Sequence, residues 1–156
     1  MSVTLVTADT PGERSHDQEL NDWLFESSPD CVKLIGLDGS VLAMNRNGMC
    51  SMEIDDFASI YGQPWSTLWG SEVQASVSNA IASASGGGIG HFTAFGATIK
   101  GTPKWWAVMV TPVRNPQGEI FKLLSVSRDV TEVHQAREMA EASAARFRSV
   151  LSEAQE

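Results

Sequence analysis

Cys31-Val-Lys-Leu-Ile-Gly-Leu37, Asp38-Gly39 and Ser40-Val-Leu-Ala-Met44 form the stretch on which the fold turns. Two apolar, branched runs flank an Asp-Gly pair. Both central turn positions of such a pair favour positive φ, so the stretch predicts an antiparallel hairpin. Asn45 follows as a helix N-cap. Short helical or turn pieces then run to Gly70, punctuated by Asp55-Asp56, Gly62 and Pro64. On the other side of the hairpin, Ser15 and Gln18 make a capping-box pair. Leu20, Trp23 and Leu24 share one face at helical spacing, and Ser27-Ser28-Pro29 ends that helix.

Beyond Gly70 the pattern changes twice. Ser71, with Gln74 as its capping-box partner, opens a second helix whose apolar stripe is Val73, Val77, Ala80, Ile81 and Ala84. Gly86-Gly87-Gly88 stops it, because glycine readily takes a left-handed C-cap. Three extended segments come next, over 91–100, 104–114 and 119–130. Gly101 and Pro103 mark the first turn between them. Asn115-Pro116-Gln117-Gly118 marks the second, with proline and glycine where a type I turn takes them. Two strands, a helical middle and three strands predict an α+β domain with one five-stranded antiparallel sheet. Val133, Ala136, Ala140, Ser143, Phe147 and Val150 then alternate in steps of three and four, a heptad seam made weak by its small residues. The chain thus divides into a flexible leader (1–14), a flanking helix (15–28), a core (29–131) and a C-terminal helix (132–156).

Composition narrows the function. A chain of 156 residues suits one domain with appendages, and 42% hydrophobic with 19% charged residues is ordinary for a globular protein. The net charge of −8 repels phosphate backbones and anionic headgroups, so neither nucleic acid nor a membrane surface is an expected partner. Cys31 and Cys50 form no CxxC pair and read as reduced thiols. No apolar run reaches membrane-spanning length, and the N-terminus lacks the basic-then-apolar pattern of a secretory signal. A cytoplasmic location is the expectation.

Catalytic machinery is hard to assemble from these residues. His16, His91 and His134 lie in the leader region, near a strand start and on the last helix, with no partner at metal-ligand spacing. The surroundings of His134, Glu132-Val-His-Gln-Ala136, depart from the His-Glu-x-x-x-Pro pattern of a phospho-accepting histidine, which leaves a solvated helix histidine. The Gly86–Gly88 run lacks the lysine of a phosphate loop and ends a helix instead of starting one. No convergent nucleophile and base suggests a hydrolase or transferase, and the chain is expected to be regulatory, not an enzyme.

At this point the order of elements resembles the PAS family over residues 20–132. The most specific piece, Ser127-Arg-Asp-Val-Thr-Glu132, is similar to the Asp-Ile-Thr ending that joins PAS cores to output helices in bacterial histidine kinases and cyclic-dinucleotide enzymes. Leu24-Phe-Glu-Ser-Ser-Pro29, Leu37-Asp-Gly-Ser40 and Trp106 through Gly118 support it. Ala145-Arg-Phe-Arg-Ser-Val-Leu-Ser152 looks like the leading helix of a further PAS repeat, or else is an ordinary surface helix.

The resemblance implies an α+β, PAS-like sheet with helices on one face, flanked by an N-terminal amphipathic helix and a C-terminal signalling (coiled-coil) helix. It implies a sensory module relaying a cue through Asp129-Val130-Thr131 to an output domain, a histidine kinase, or to a further PAS domain outside this sequence. Asp129 and Thr131 would hydrogen-bond near the Asp38-Gly39 hairpin, or serve merely as a helix N-cap. A ligand pocket would face Phe92, Ala94 and Gly96, then Trp106, Val108 and Val110, then Leu123, Ser125 and Ser127.

Cofactors are not expected. Light-oxygen-voltage sensors carry Gly-x-Asn-Cys where this chain reads Gly62-Gln63-Pro64-Trp65, and Trp106 stands where they hold the flavin with an asparagine. An indole offers no acceptor for a ring N–H. The helix Ser71 to Ser85 has no histidine for haem, and His91 lies just beyond it. An unidentified small ligand stays open, and so does a rival reading: a ligand-free interaction and dimerisation module whose core is filled by Trp65, Trp69, Trp105, Trp106 and several large aliphatics. The sheet's second face, with Trp105, Ala107 and Met109, is apolar too and needs cover from the Leu20/Trp23/Leu24 helix or a partner subunit. A homodimer is expected, with contacts from Leu20, Trp23, Leu24, Val133, Ala140, Phe147 and Val150.

Overall fold

The Ser15–Gln18 capping box closes as its residues predict, the Gln18 N–H donating to Ser15 Oγ at 3.3 Å and the Ser15 N–H to Gln18 Oε1 at 3.2 Å. It opens α1 (His16–Ser27). The computed structural model describes residues 15–155, so the expected leader lies outside the described residues. After α1 come β1 (Cys31–Gly36), β2 (Val41–Met44), α2 (Arg46–Ser51), short 3-10 turns, α3 (Gln74–Ser85), β3 (Gly90–Phe95), β4 (Trp105–Arg114), β5 (Ile120–Asp129) and α4 (Thr131–Glu153). The strands form one antiparallel sheet in the order β2-β1-β5-β4-β3, so the two ends of the core meet at its centre.

The hairpin forms, but not with two positive φ angles. Only Gly39 is left-handed, at +86°. Asp38 instead uses its carboxylate, which accepts from the Ser40 N–H at 3.0 Å and the Ser40 hydroxyl at 2.6 Å and so closes an Asx-type turn. The carboxyl is held below its ordinary value by those two hydrogen bonds. Gly39 O in turn accepts from the Trp65 N–H at 2.9 Å, and Gln63 O from the Val41 N–H at 2.9 Å. The hairpin thereby seats Trp65 over the sheet.

Two further expectations are corrected. Gln74 does not cap Ser71, because Ser71–Val73 is a 3-10 turn and α3 starts after it. The Gln74 amide donates instead to the carbonyls of Ser66 and Trp69, at 2.8 and 3.1 Å. β3 stops at Phe95, not near Lys100: Gly96–Lys104 leaves the ladder and folds onto α2. There Ile99 N–H donates to Met52 O at 3.1 Å and the Thr98 hydroxyl to Glu53 at 2.7 Å, so the loop's polar groups are satisfied outside the sheet. Of the two covers open to the sheet's outer face, α1 is not taken: it packs beside α2.

The core lies between the sheet and the segment 46–85. Ile35, Met44, Trp65, Val77, Trp106, Val110 and Leu123 are fully buried there. The α3 stripe behaves as its spacing predicts, with Val73, Val77, Ala80 and Ala84 buried. Among the described residues no helix is long and apolar enough to cross a membrane.

Candidate functional site

Period-two alternation on β1 sends Cys31, Lys33 and Ile35 to the inner face, and the same alternation on β5 sends Leu123, Ser125 and Ser127 there. Ala94, Gly96, Trp106, Val108, Val110, Leu123, Ser125 and Ser127 are all buried on this side, and Phe92 is half-buried against Trp65 and Trp69. Trp106 fills the centre and spends its indole N–H on Gly96 O at 3.0 Å. Gly96 is small for a reason: a Cβ there would lie 2.9 Å from the Trp69 ring. A cavity of about 10 Å³ remains beneath these rings, lined by Lys33, Met52, Trp65, Leu68, Trp69, Gly96, Trp106 and Ser127 among others.

Lys33 is a residue that sequence reasoning passed over. It is 2% exposed, and its amine donates to Cys31 Sγ at 2.9 Å. A lysine inside the apolar run Cys31–Leu37 is masked by its neighbours, although strict alternation places it on the same face as Cys31 and Ile35.

The junction with α4 is built at the other end of the sheet. Asp129 Oδ1 accepts from the Thr131 N–H at 3.0 Å and the Thr131 hydroxyl at 2.6 Å. Thr131 Oγ1 also accepts from the Trp105 N–H at 3.0 Å, and Trp105 O accepts from Val130 N–H at 2.9 Å. Asp129 Oδ2 pairs with Lys104 Nζ at 3.2 Å. Burial alone would raise the Asp129 carboxyl, but the bonds from Thr131 and the Lys104 cation outweigh it and leave the group below its ordinary value. Lys104 also donates to Ser51 O at 2.9 Å and sits 5.6 Å over the Trp106 ring.

The expected bond from Asp129 and Thr131 to the Asp38-Gly39 hairpin is not made. The register explains why: Gly36, next to the hairpin, pairs with Lys122, seven residues before Asp129 and roughly 20 Å away at the rise of a strand. Lys104 and Trp105 take that place. His134 is not a solvated helix histidine either. Its ring stacks on Trp105 at 3.7 Å between centroids and 19° between planes, and Nε2 lies 3.2 Å from Glu138. No local sequence signal marks this contact, because it forms only when the start of β4 and the first turn of α4 meet.

Apart from Trp105, which the His134 ring covers, the outer face is open. Phe95, Met109 and Phe121 are exposed on it, with Ala107 and Val126 partly so. Leu20, Trp23 and Leu24 on α1 are exposed, Trp23 at 64%, and so are Val133, Ala140, Phe147 and Val150 on α4. Cys31 is buried and Cys50 exposed, both as free thiols, and His91 faces solvent on β3. Among the described residues no cluster of three or more His, Cys, Asp or Glu is placed to hold a metal ion.

Residues 25–135 match the family model described as PAS fold. No curated protein matches the chain. The PAS domain of a protein from Colwellia psychrerythraea is similar in structure, with a TM-score of 0.65 at 16% identity over 73% of this chain and 97% of its own. The PAS domain of an HTR-like protein from Haloarcula marismortui gives 0.57 at 21% identity, over 72% and 91%. A structure described as an RNA-binding light-oxygen-voltage receptor gives 0.71 at 15% identity, covering 92% of this chain and 41% of that one.

Proposed function

The chain belongs to the PAS fold family, whose domains generally serve signalling, and on that premise we propose that it is a non-catalytic sensory module whose core governs the exit of α4. The observation that carries this reading is a direct strand pairing. Trp106, at the centre of the core, pairs across the sheet with Asp129, and Lys104 touches both. A cue that repacks Trp106 therefore acts on the ion pair that anchors the first turn of α4. Such a cue works only by binding two packings unequally. The output, a histidine kinase or another PAS domain, and a cytoplasmic setting complete the reading, the latter supported by two free thiols. Flavin and haem are no part of it, since Trp65 and Trp106 occupy the centre and the remaining cavity is about 10 Å³.

The test is Asp129→Ala in a chimera that joins residue 156 to a kinase output. Losing the Asp129 bond to the Thr131 N–H costs about 1 kcal/mol. Basal kinase activity is expected to shift at least threefold, while the melting temperature falls by only about 2–4 °C. Unchanged kinase activity with a destabilised core would reduce Asp129 to a structural cap. The carboxylate's pKa is depressed in the folded state, so its contribution is present above its ordinary pKa of 3.8 and is lost as pH falls through the lower folded value.

Dimerisation is part of the same reading. The open sheet face and the exposed Leu20, Trp23 and Leu24 are each apolar and each lack a partner within the described chain, which favours a second copy. The α4 positions Val133, Ala140, Phe147 and Val150 add a second contact, weak because Ala136, Ala140 and Ser143 bury little area. Light scattering over a dilution series is expected to show a dimer that dissociates with Trp23→Ser and weakens when α4 is removed. A monomer at every concentration would refute it.

A further inference from the structure

The inner face of the sheet holds a polar cluster out of keeping with its apolar walls. Lys33 pairs across to Ser125 on β5 and lies diagonal to Ser127. Neither serine hydroxyl has a hydrogen-bond partner, though both are buried. Above them, the indole N–H groups of Trp65 and Trp69 are likewise buried and unpartnered. Lys33, Ser127, Trp65 and Trp69 line the same cavity. The Lys33 amine, whose one hydrogen bond among the described residues goes to Cys31 Sγ, and two indoles supply donors, and the hydroxyls can donate or accept. No carboxylate lines the cavity, and Lys33 forms no ion pair among the described residues. Buried donors of this density are held in proteins by an acceptor, and a buried cation by an opposite charge.

We propose that this cluster is a binding site for the negative end of a small anion, a halide or the carboxylate of a short organic acid, with Lys33 as its counter-charge. The size of the cavity sets the limit: about 10 Å³ admits one water-sized centre. A halide fits that measure. A carboxylate places one oxygen there and its carbon tail toward Trp69, the less buried of the two indoles. Phosphate or a nucleotide is excluded by size. The site also explains how an anion reaches the exit of α4. Its wall is Trp106 and Ser127, and Asp129 pairs with the first and follows the second by two residues.

The proposal names the ligand class for the sensor reading and rests on that reading for its consequence, not for the binding itself. The rival partner of Lys33 is internal, the Cys31 sulfur that its amine meets at 2.9 Å. The experiment titrates residues 1–156, in a buffer whose only anion is a bulky sulfonate, with sodium chloride, bromide, formate and acetate. Tryptophan fluorescence and melting temperature are the readouts. A saturable change is expected with at least one of them, quenched by bromide if halide enters, and weakened at least tenfold in Lys33→Met. That variant keeps the side-chain volume, so it remains folded. Halide and carboxylate sources separate by which salts saturate. Identical titrations of the wild type and Lys33→Met, or a change linear in ionic strength, overturn the site. So does anion binding that appears only in Cys31→Ala, because the Cys31 sulfur then holds the Lys33 amine in the native protein. Anion binding without any response of the kinase chimera leaves the site standing and refutes the sensor reading. The reverse outcome, an Asp129→Ala effect with no anion bound, refutes the site alone.

Discussion

Gly90→Ala is expected to destabilise the domain by about 3 kcal/mol and lower its melting temperature by roughly 10 °C. Gly90 opens β3 directly beneath α3. A Cβ at that position would stand 2.5 Å from Ala80 Cα and 2.6 Å from Ala80 O, both backbone atoms. No rotamer change can relieve a collision with a helix backbone, so α3 must lift from the sheet. That movement would loosen Val77, Ala80 and Ala84 from the core together. Gly62→Ala is the control. Its φ of +74° strains any side chain, but nothing lies within 4 Å of the added carbon, so the cost should stay near 1 kcal/mol. Thermal unfolding of both variants by circular dichroism checks the pair. Equal losses would mean that backbone strain, not the α3 contact, sets the cost.

Asn45→Ala should cost a comparable amount, again about 3 kcal/mol, through hydrogen bonds alone. The side chain is fully buried and makes four bonds. Its Oδ1 accepts from the N–H groups of Val32 at 2.8 Å and Gly48 at 3.1 Å. Its Nδ2 donates to the carbonyls of Asp30 at 2.9 Å and Ser28 at 3.3 Å. Truncation removes the cap of α2, worth about 1 kcal/mol, and strands a buried donor on β1, worth about 1–3 kcal/mol. Urea unfolding is the measurement, and the midpoint should fall with an unchanged slope. Asn45→Asp keeps the acceptor but turns a carboxylate oxygen toward two carbonyls, so it should not rescue. Full rescue by Asp would mean that the cap alone matters.

These two positions show how unevenly the chain disclosed itself. Asn45 was legible as an N-cap because capping is a local geometry written in residue type and place. Its grip on β1 was not, since Val32 and Asp30 come near it only when the hairpin closes. The five strands and their faces were likewise legible, because alternation and turn residues act over a few positions. The capping boxes divided on the same principle. Ser15–Gln18 closed, while 71–73 formed a 3-10 turn and the Gln74 amide donates to the carbonyls of Ser66 and Trp69.

What the sequence by itself determined is therefore the α+β class, the strand sequence, the inner-face residues from Phe92 to Ser127 and the family resemblance carried by Asp129-Val130-Thr131. The class and the strand sequence rest on spacing and short-range backbone chemistry, and which face of the strands is the inner one rests on the resemblance. Only the tertiary structure decided which end of the sheet the junction occupies, because strand register is a long-range quantity. It moved the partners of Asp129 and Thr131 from Asp38-Gly39 to Lys104 and Trp105, and brought His134 onto the Trp105 ring. It also brought Lys33, two serines and two indoles together from three separate segments. No one-dimensional pattern encodes that cluster, since the meeting of its members depends on closing the whole sheet against residues 65–69.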